Sequence, residues 1–191
     1  MEYFFYCRDR ADAAELRWEL VEAHWRFMDR FADGMIARGP TLSDDRESAT
    51  GSVHIVDLPD AATARVFAYE EPNYLAGVYA EVTVRRFANL LGRTMWEFPG
   101  PERAADHFLV LGHTGPGATR PDELIESGQI ESGQIERLIA FGPLFAEDGD
   151  AWVGTAVIGE FADAAAAREV LATTGLYDDI EVHNWTFGGR R

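Results

Sequence analysis

The sequence predicts an α+β protein: two tandem βαββαβ units, residues 1–99 and 100–191, that pair their antiparallel sheets inside one chain. Three observations predict it. The first is an internal repeat. Gly39-Pro40 recurs as Gly142-Pro143, Gly51 as Gly154, and Asp60-Ala61-Ala62 as Asp163-Ala164-Ala165, each 103 residues on. The second is the pattern within each half, where short apolar runs alternate with helical periodicity in the order βαββαβ. The third is physical. Such a sheet carries helices on one face only, so its other face needs a cover. A second unit in the same chain supplies that cover, closing toward a barrel and hiding the sheet edges. The alternative is two independent domains on a string, and the short linker Gly100-Pro101-Glu102-Arg103 argues against it.

The elements follow in order. Residues 2–8 contain the run Tyr3-Phe4-Phe5-Tyr6-Cys7 and read as a strand. Residues 11–31 read as a helix, because Leu16, Leu20, Val21, Phe27, Met28 and Phe31 recur at spacings of three and four. Asp33-Gly34 ends it, with glycine on the C-cap side. Residues 35–39 form a short strand, 43–48 a polar loop, and 51–57 a partly alternating strand. Pro59-Asp60 opens a helix through Tyr69, and 79–87 is the last strand. The second unit repeats this with strands near 107–113, 137–143, 151–160 and 177–187, and helices near 121–135 and 162–173. Gly77-Val78-Tyr79 matches Gly175-Leu176-Tyr177 at a shorter offset, so the second unit has lost residues after its second helix. Ile125-Glu126-Ser127-Gly128-Gln129 is repeated directly as residues 130–134, where the long helix belongs. Each glycine there costs a helix about 1 kcal/mol relative to alanine.

Composition narrows the function. The chain has 191 residues, 47% of them hydrophobic, which is ample for a core. Thirty-three acids against 17 Lys and Arg give a net charge of −16. That field repels phosphate backbones and anionic lipid, so neither nucleic acid nor membrane is the expected partner. No apolar stretch approaches the ~20 residues of a membrane span, and the N-terminus carries no basic signal region, so a soluble cytoplasmic protein is the expectation. Cys7 is the only cysteine, which excludes an intrachain disulfide and a Cys-based zinc site. Within its apolar run it reads as a buried structural thiol rather than a nucleophile. His107, His113 and His183 show no metal-ligand spacing, and Gly115-Pro116-Gly117 lacks the lysine of a phosphate loop. Neither a metal nor a cofactor is expected.

Several residues of the first half form a recognisable set. Arg17 and Ala23-His24-Trp25 lie on the first helix, followed by Gly39-Pro40, Glu71-Pro72 and Ala76-Gly77-Val78-Tyr79. This set resembles the YciI-like (YCII-related) family of the dimeric α/β-barrel superfamily, over residues 2–87 and more weakly 107–187. The resemblance implies a ferredoxin-like unit that pairs sheet to sheet. It also implies an active-site His–Asp dyad, with lyase, isomerase or dehydrochlorinase activity on small ring compounds in some members. The family histidine falls on His24. The family Asp, in an Asp-Pro-aromatic motif, falls on Glu71, one methylene longer, with Asn73 in place of the aromatic and Tyr74 following. In the second half the histidine position holds Ser127 or Gly128, and the Asp-Pro segment is deleted. One site per chain is expected, in the first half, with the second half as a structural partner shaping its far wall.

Two readings stand beside each candidate. His24 follows Leu20 by four and precedes Phe27 and Met28, on the sheet-facing stripe. It is a general acid or base, or a core histidine held by a backbone carbonyl. Glu71 orients His24 or is itself the base; otherwise it is a solvated helix-end acid beside Glu70. Tyr74 donates a hydrogen bond to a substrate oxygen or is a packed loop aromatic. Arg38 and His54 enter the cleft or face solvent, according to register. Gly39-Pro40 ends a strand near the pocket. Trp25, Trp96, Trp152 and Trp185 read as core packing.

The expected function is therefore a cofactor-free enzyme on a small hydrophobic or aromatic, oxygenated molecule. His24 moves a proton and Glu71 supports it in an elimination, isomerisation or related lyase step. A non-catalytic ligand- or protein-binding module on the same scaffold is the second reading. Haem or oxygen chemistry, known elsewhere in the superfamily, is the third. Pairing within the chain makes a pseudo-dimer, and exposed edges or helices leave room for a homodimer.

Overall fold

The run Tyr3-Phe4-Phe5-Tyr6-Cys7 is apolar at every position because its strand is covered on both faces. In the computed structural model, which describes residues 1–100, 106–120 and 132–189, this strand is β1 (Glu2–Asp9). Phe4 and Tyr6 point one way, into a core shared with Val53, Ile55, Leu109 and Ile158. Tyr3 and Phe5 point the other way, onto Met28, Phe67 and Ala68. The first core draws on both halves of the chain and fills the interior of a closed barrel. The second lies between sheet and helices.

The remaining elements of the first half are α1 (Ala14–Glu19), α2 (Val21–Met28), β2 (Met35–Leu42), β3 (Ala49–Asp57), α3 (Ala61–Tyr69), α4 (Pro72–Leu75) and β4 (Tyr79–Phe87). The second half has β5 (His107–His113), α5 (Ser132–Ile135), β6 (Leu138–Phe145), β7 (Trp152–Glu160), α6 (Ala164–Ala172) and β8 (Asp179–Trp185). The strands close in the order β1-β3-β2-β8-β5-β7-β6-β4. Each half contributes four antiparallel strands with its first and third in the middle. Two short seams join them. Thr41 and Leu42 of β2 pair with Trp185 and Asn184 of β8, and Arg86 and Phe87 of β4 pair with Phe145 and Leu144 of β6. The tandem α+β barrel expected from the repeat is the fold observed.

The repeated aspartates have one job. Asp60 caps α3 by accepting from the Thr63 N–H at 2.7 Å, and Asp163 caps α6 by accepting from Ala166 at 2.8 Å. The repeated glycines Gly39 and Gly142 sit at the seams. A Cβ on Gly39 would strike the Thr186 carbonyl and the Trp185 indole, and one on Gly142 would strike the Ala88 carbonyl and the Phe87 ring. Gly39-Pro40 therefore does not end a strand: β2 runs through it to Leu42, and glycine admits the chain that follows β8. That chain continues along β2, with Thr186 N–H donating to Pro40 O at 3.3 Å and Gly188 N–H to Arg38 O at 3.2 Å.

The long helix expected over residues 11–31 is kinked into α1 and α2 at Leu20 and ends in a 3-10 turn, Asp29–Gly34. Its hydrogen bonds run through the kink, since Leu20 O accepts from His24 N–H at 2.8 Å. The bend lets one chain segment serve two patches. Leu16 and Leu20 pack on Cys7, Val78 and Tyr79, while Phe27 and Met28 pack on Phe5 and Phe67. Cys7 is buried, and burial pushes its thiol well above the ordinary range, which fits a structural role. The helix expected over residues 121–135, with the duplicated segment, lies outside the described residues except for α5, as does most of the linker. Among the described residues no helix is long and apolar enough to cross a membrane.

At one mouth of the barrel an ion cluster ties the halves together. Glu181 of β8 accepts from Arg8 of β1 at 2.7 Å and meets His113 at 2.8 Å and His183 at 3.0 Å. Although burial opposes its charge, the bonds from Arg8 and His183 hold the carboxyl down at about 2. A depressed carboxyl stabilises the fold above its unfolded value of 4.5 and loses that contribution as pH falls toward 2. Glu181→Gln is therefore expected to lower stability at pH 7 by about 1–2 kcal/mol, after allowance for solvent screening of a partly exposed group. It is also expected to flatten the acid limb of the stability curve. Urea unfolding at pH 7 and pH 3 measures both, and parallel curves for wild type and variant would count against the cluster.

Candidate active site

The helix-covered face of the first sheet opens into a cavity of about 280 Å³ between α1, α2, β2, β3 and the end of the chain. Val21, His24, Trp25 and Met28 recur at three and four along α2 and present one stripe to it. Across from them stand Arg38 and Pro40 of β2 and Ser52 and His54 of β3. Register explains this grouping. Arg38 pairs with His54, and Pro40 with Ser52, so these side chains share the outer face while Val53 and Ile55 turn into the barrel.

His24 does not rest on a backbone carbonyl. Its Nδ1 meets Glu71 Oε2 at 2.9 Å. Glu71 is no solvated helix-end acid either: only 2% exposed, it is the N-cap of α4, and its Oε1 accepts from Tyr74 N–H at 2.8 Å. One carboxylate thus caps a helix with one oxygen and holds an imidazole with the other. With Nδ1–H donated to Glu71, Nε2 is the nitrogen left for a ligand.

His54 is buried, its ring 5.7 Å from that of His24 and 5.5 Å from Phe67. Burial, reinforced by His24, Arg38 and Arg17, pushes its pKa well below the ordinary histidine value, so it stands as a neutral imidazole at pH 7. Arg38 is buried too, its guanidinium 5.8 Å from the Trp96 ring. Arg17 Nη1 donates to both carboxylate oxygens of Asp9, at 2.9 and 3.0 Å, and its Nη2 donates to Ser52 Oγ at 2.6 Å. It fixes α1 to the sheet beside the cavity.

Of the residues singled out in the sequence, His24, Arg38, Gly39, Pro40 and His54 line the cavity, and Glu71 stands directly behind His24. Tyr74 does not line it. The residue is 40% exposed and its ring packs edge-on against Tyr69, because the first turn of α4 turns it outward while its backbone N–H serves Glu71. Trp25, expected in the core, is part of the wall. Further contributors escaped the sequence reading, among them Ser52, Asn73, Phe187 and Gly188. Asn73 lines the cavity from α4, buried, with Nδ2 donating to the Tyr79 hydroxyl at 3.2 Å. Phe187 and Gly188 come from the end of the second half, brought in by the chain that follows β8. The only sequence signal for them was the glycine at position 39.

The second half does not repeat this arrangement among its described residues. The cross-strand pair equivalent to Arg38 and His54 is Phe141 and Val157, both buried and apolar. Among the described residues no group of three or more His, Cys, Asp or Glu is placed to hold a metal ion.

Comparison with known proteins gives a consistent fold. The family model of the YCII-related domain matches residues 1–88. No curated protein sequence matches the chain. A 5-chloro-2-hydroxyhydroquinone dehydrochlorinase from Burkholderia phenoliruptrix AC1100, solved with 2,5-dihydroxybenzoquinone, is 26% identical over 45% of this chain and 92% of its own, with a TM-score of 0.42. Two candidate monooxygenases match along the whole length. That from Lactobacillus acidophilus NCFM is 7% identical over 98% of this chain and 96% of its own, at a TM-score of 0.52. That from Fusobacterium nucleatum subsp. nucleatum is 7% identical over 97% and 91%, at 0.54. At such identity the likeness is one of fold.

Proposed function

With its residues 1–88 a YCII-related domain, this chain is, we propose, an enzyme that moves a proton on a small oxygenated, aromatic or hydrophobic molecule. The observation that carries the proposal is the His24 Nδ1–Glu71 Oε2 contact of 2.9 Å beside an open cavity. Glu71 fixes the tautomer and stabilises the imidazolium that forms. His24 Nε2 takes a proton from an activated C–H or O–H and returns it elsewhere on the substrate or to a leaving group. Elimination, isomerisation and dehydrochlorination all reduce to that exchange. General acid–base help is worth about 10²–10⁴-fold, which suits bonds already activated by a neighbouring oxygen.

Exchange with solvent tests this without knowledge of the full reaction. The protein is incubated in D₂O with a panel of hydroquinones, chlorohydroquinones and hydroxybenzoates. Loss of C–H proton signal, isomer formation and chloride release are followed together. Protein-dependent change in at least one compound is the expected result. Ligand-dependent thermal stabilisation across the same panel with no exchange and no product would instead identify a binding module.

A further inference from the structure

We infer that the barrel holds a second ligand site, in its lumen and apart from the His24 cavity, which takes a small monocarboxylate with a short apolar body and binds its carboxylate on Arg85. The first support is space. The lumen is not filled throughout. On the side of the Glu181 ion cluster a cavity of about 270 Å³ lies between the two halves. Phe4, Tyr6 and Arg85 line it from the first half, and Leu111, Leu144 and Val153 from the second. Among the described residues it shares no lining residue with the His24 cavity. The second support is register. Side chains alternate along β4, so Thr83, Arg85 and Phe87 turn into the barrel while Val84 packs under the helices. Arg85 pairs with Phe4, which is 1% exposed in the shared core. Arg85 itself is half-buried, so its guanidinium meets the open space rather than the packing.

Charge is the third support. Among the described residues the lining carries two carboxylates, Glu81 and Glu181, and both meet Arg8, at 3.6 and 2.7 Å. Arg85 has neither. Its Nη1 donates to the Val84 carbonyl at 2.8 Å, and among the described residues no carboxylate stands within ion-pair distance of it. The Nε–Nη2 edge is left, and that flat edge matches the two oxygens of a carboxylate. The net charge of −16 acts mostly from beyond a Debye length of ~8 Å and is screened, whereas this contact is made at short range. The walls set the rest of the ligand. Phe4, Leu111 and Leu144 are at most 4% exposed and form an apolar floor. The Thr83 and Thr114 hydroxyls already donate, to Glu81 and to the Trp152 carbonyl, so an apolar body suits the cavity better than a hydroxylated one. A volume just under the ~300 Å³ of the smallest drug-sized pockets admits a few carbons beyond the carboxylate.

Amide-detected NMR titration of the whole chain tests the site. The probes are pentanoate and its neutral analogue pentanamide. Pentanoate is expected to bind about 10–100-fold more tightly, the range of one charge-assisted contact, and to shift the amides of Thr83, Arg85 and Val153. Arg85→Gln removes the preference for the anion. Arg85→Lys retains part of it, since an ammonium keeps the charge and loses the fork. Amide spectra of the free variants that superpose on wild type away from residue 85 show that both are folded. Equal affinity for the two probes, pentanoate binding unchanged in Arg85→Gln, or no binding up to about 20 mM overturns the inference. So do shifts confined to the His24 cavity, at Ser52 and Asn73. None of these outcomes depends on whether His24 moves a proton.

Discussion

Replacing His24 with alanine is expected to lower protein-dependent proton exchange by about 10²–10⁴-fold while the fold persists. The side chain is only 12% exposed, but it borders a cavity rather than the packed core, so its removal enlarges a space already open. The main structural loss is the contact to Glu71, whose buried Oε2 is left without its partner, at about 1–3 kcal/mol. Glu71 variants separate support of the imidazole from support of the helix. In Glu71→Gln the side-chain carbonyl can still accept from Tyr74 N–H, whereas the amide presents hydrogens to Nδ1 and forces the other tautomer. Exchange is then expected to fall nearly as far as in His24→Ala with a smaller loss of stability. Glu71→Ala removes the imidazole partner and the cap of α4, and the cap alone is worth about 0.5–2 kcal/mol. Exchange rates in D₂O and urea unfolding of the three variants resolve the two roles. A His24→Ala protein that exchanges at the wild-type rate would remove His24 from the mechanism.

These two residues stood out in the sequence because they align with the histidine and, with Glu in place of Asp, the acid of the family that the first half resembles. What was not legible was the company they keep. Arg38 and His54 were ambiguous until register placed them opposite one another on the outer face of β2 and β3. A one-residue slip would have turned both into the barrel. Asn73 follows Glu71-Pro72 in a stretch that reads as loop, and it becomes a cavity residue only because Glu71 nucleates the short α4. The same turn carries Tyr74 outward. Phe187 and Gly188 lie some 150 residues from Gly39, and no local pattern announces a contact at that separation. The fold itself was more accessible. Glycines at the seams and aspartates at the helix caps recur at one offset, because both halves solve the same closure problem with the same residues.

That shared solution makes a paired prediction. Gly39→Ala and Gly142→Ala are each expected to destabilise the protein by about 2–4 kcal/mol, more than overpacking among side chains usually does, because the added Cβ meets backbone carbonyls that have nowhere to yield. Each seam has two ladder residue pairs and a few backbone hydrogen bonds beyond them, so displacing one strand by an ångström or two weakens the barrel wall. At Gly39 the displaced neighbours include Trp185, fully buried in the shared interior, and its exposure is read as a red shift in tryptophan emission. The variants then part company. Moving the chain after β8 carries Phe187 and Gly188 away from the cavity, so Gly39→Ala is expected to weaken ligand binding as well as stability. Gly142→Ala acts at the opposite seam, against Ala88 and Phe87, and spares the cavity. Gly149→Ala, where an added Cβ meets nothing within 4 Å, is the neutral control. Urea unfolding followed by tryptophan emission, with thermal shift of each variant across the panel of ring compounds, separates the outcomes. Wild-type stability in both seam variants would mean that the halves do not close on one another, and the cavity would lose the part of its wall that the second half supplies.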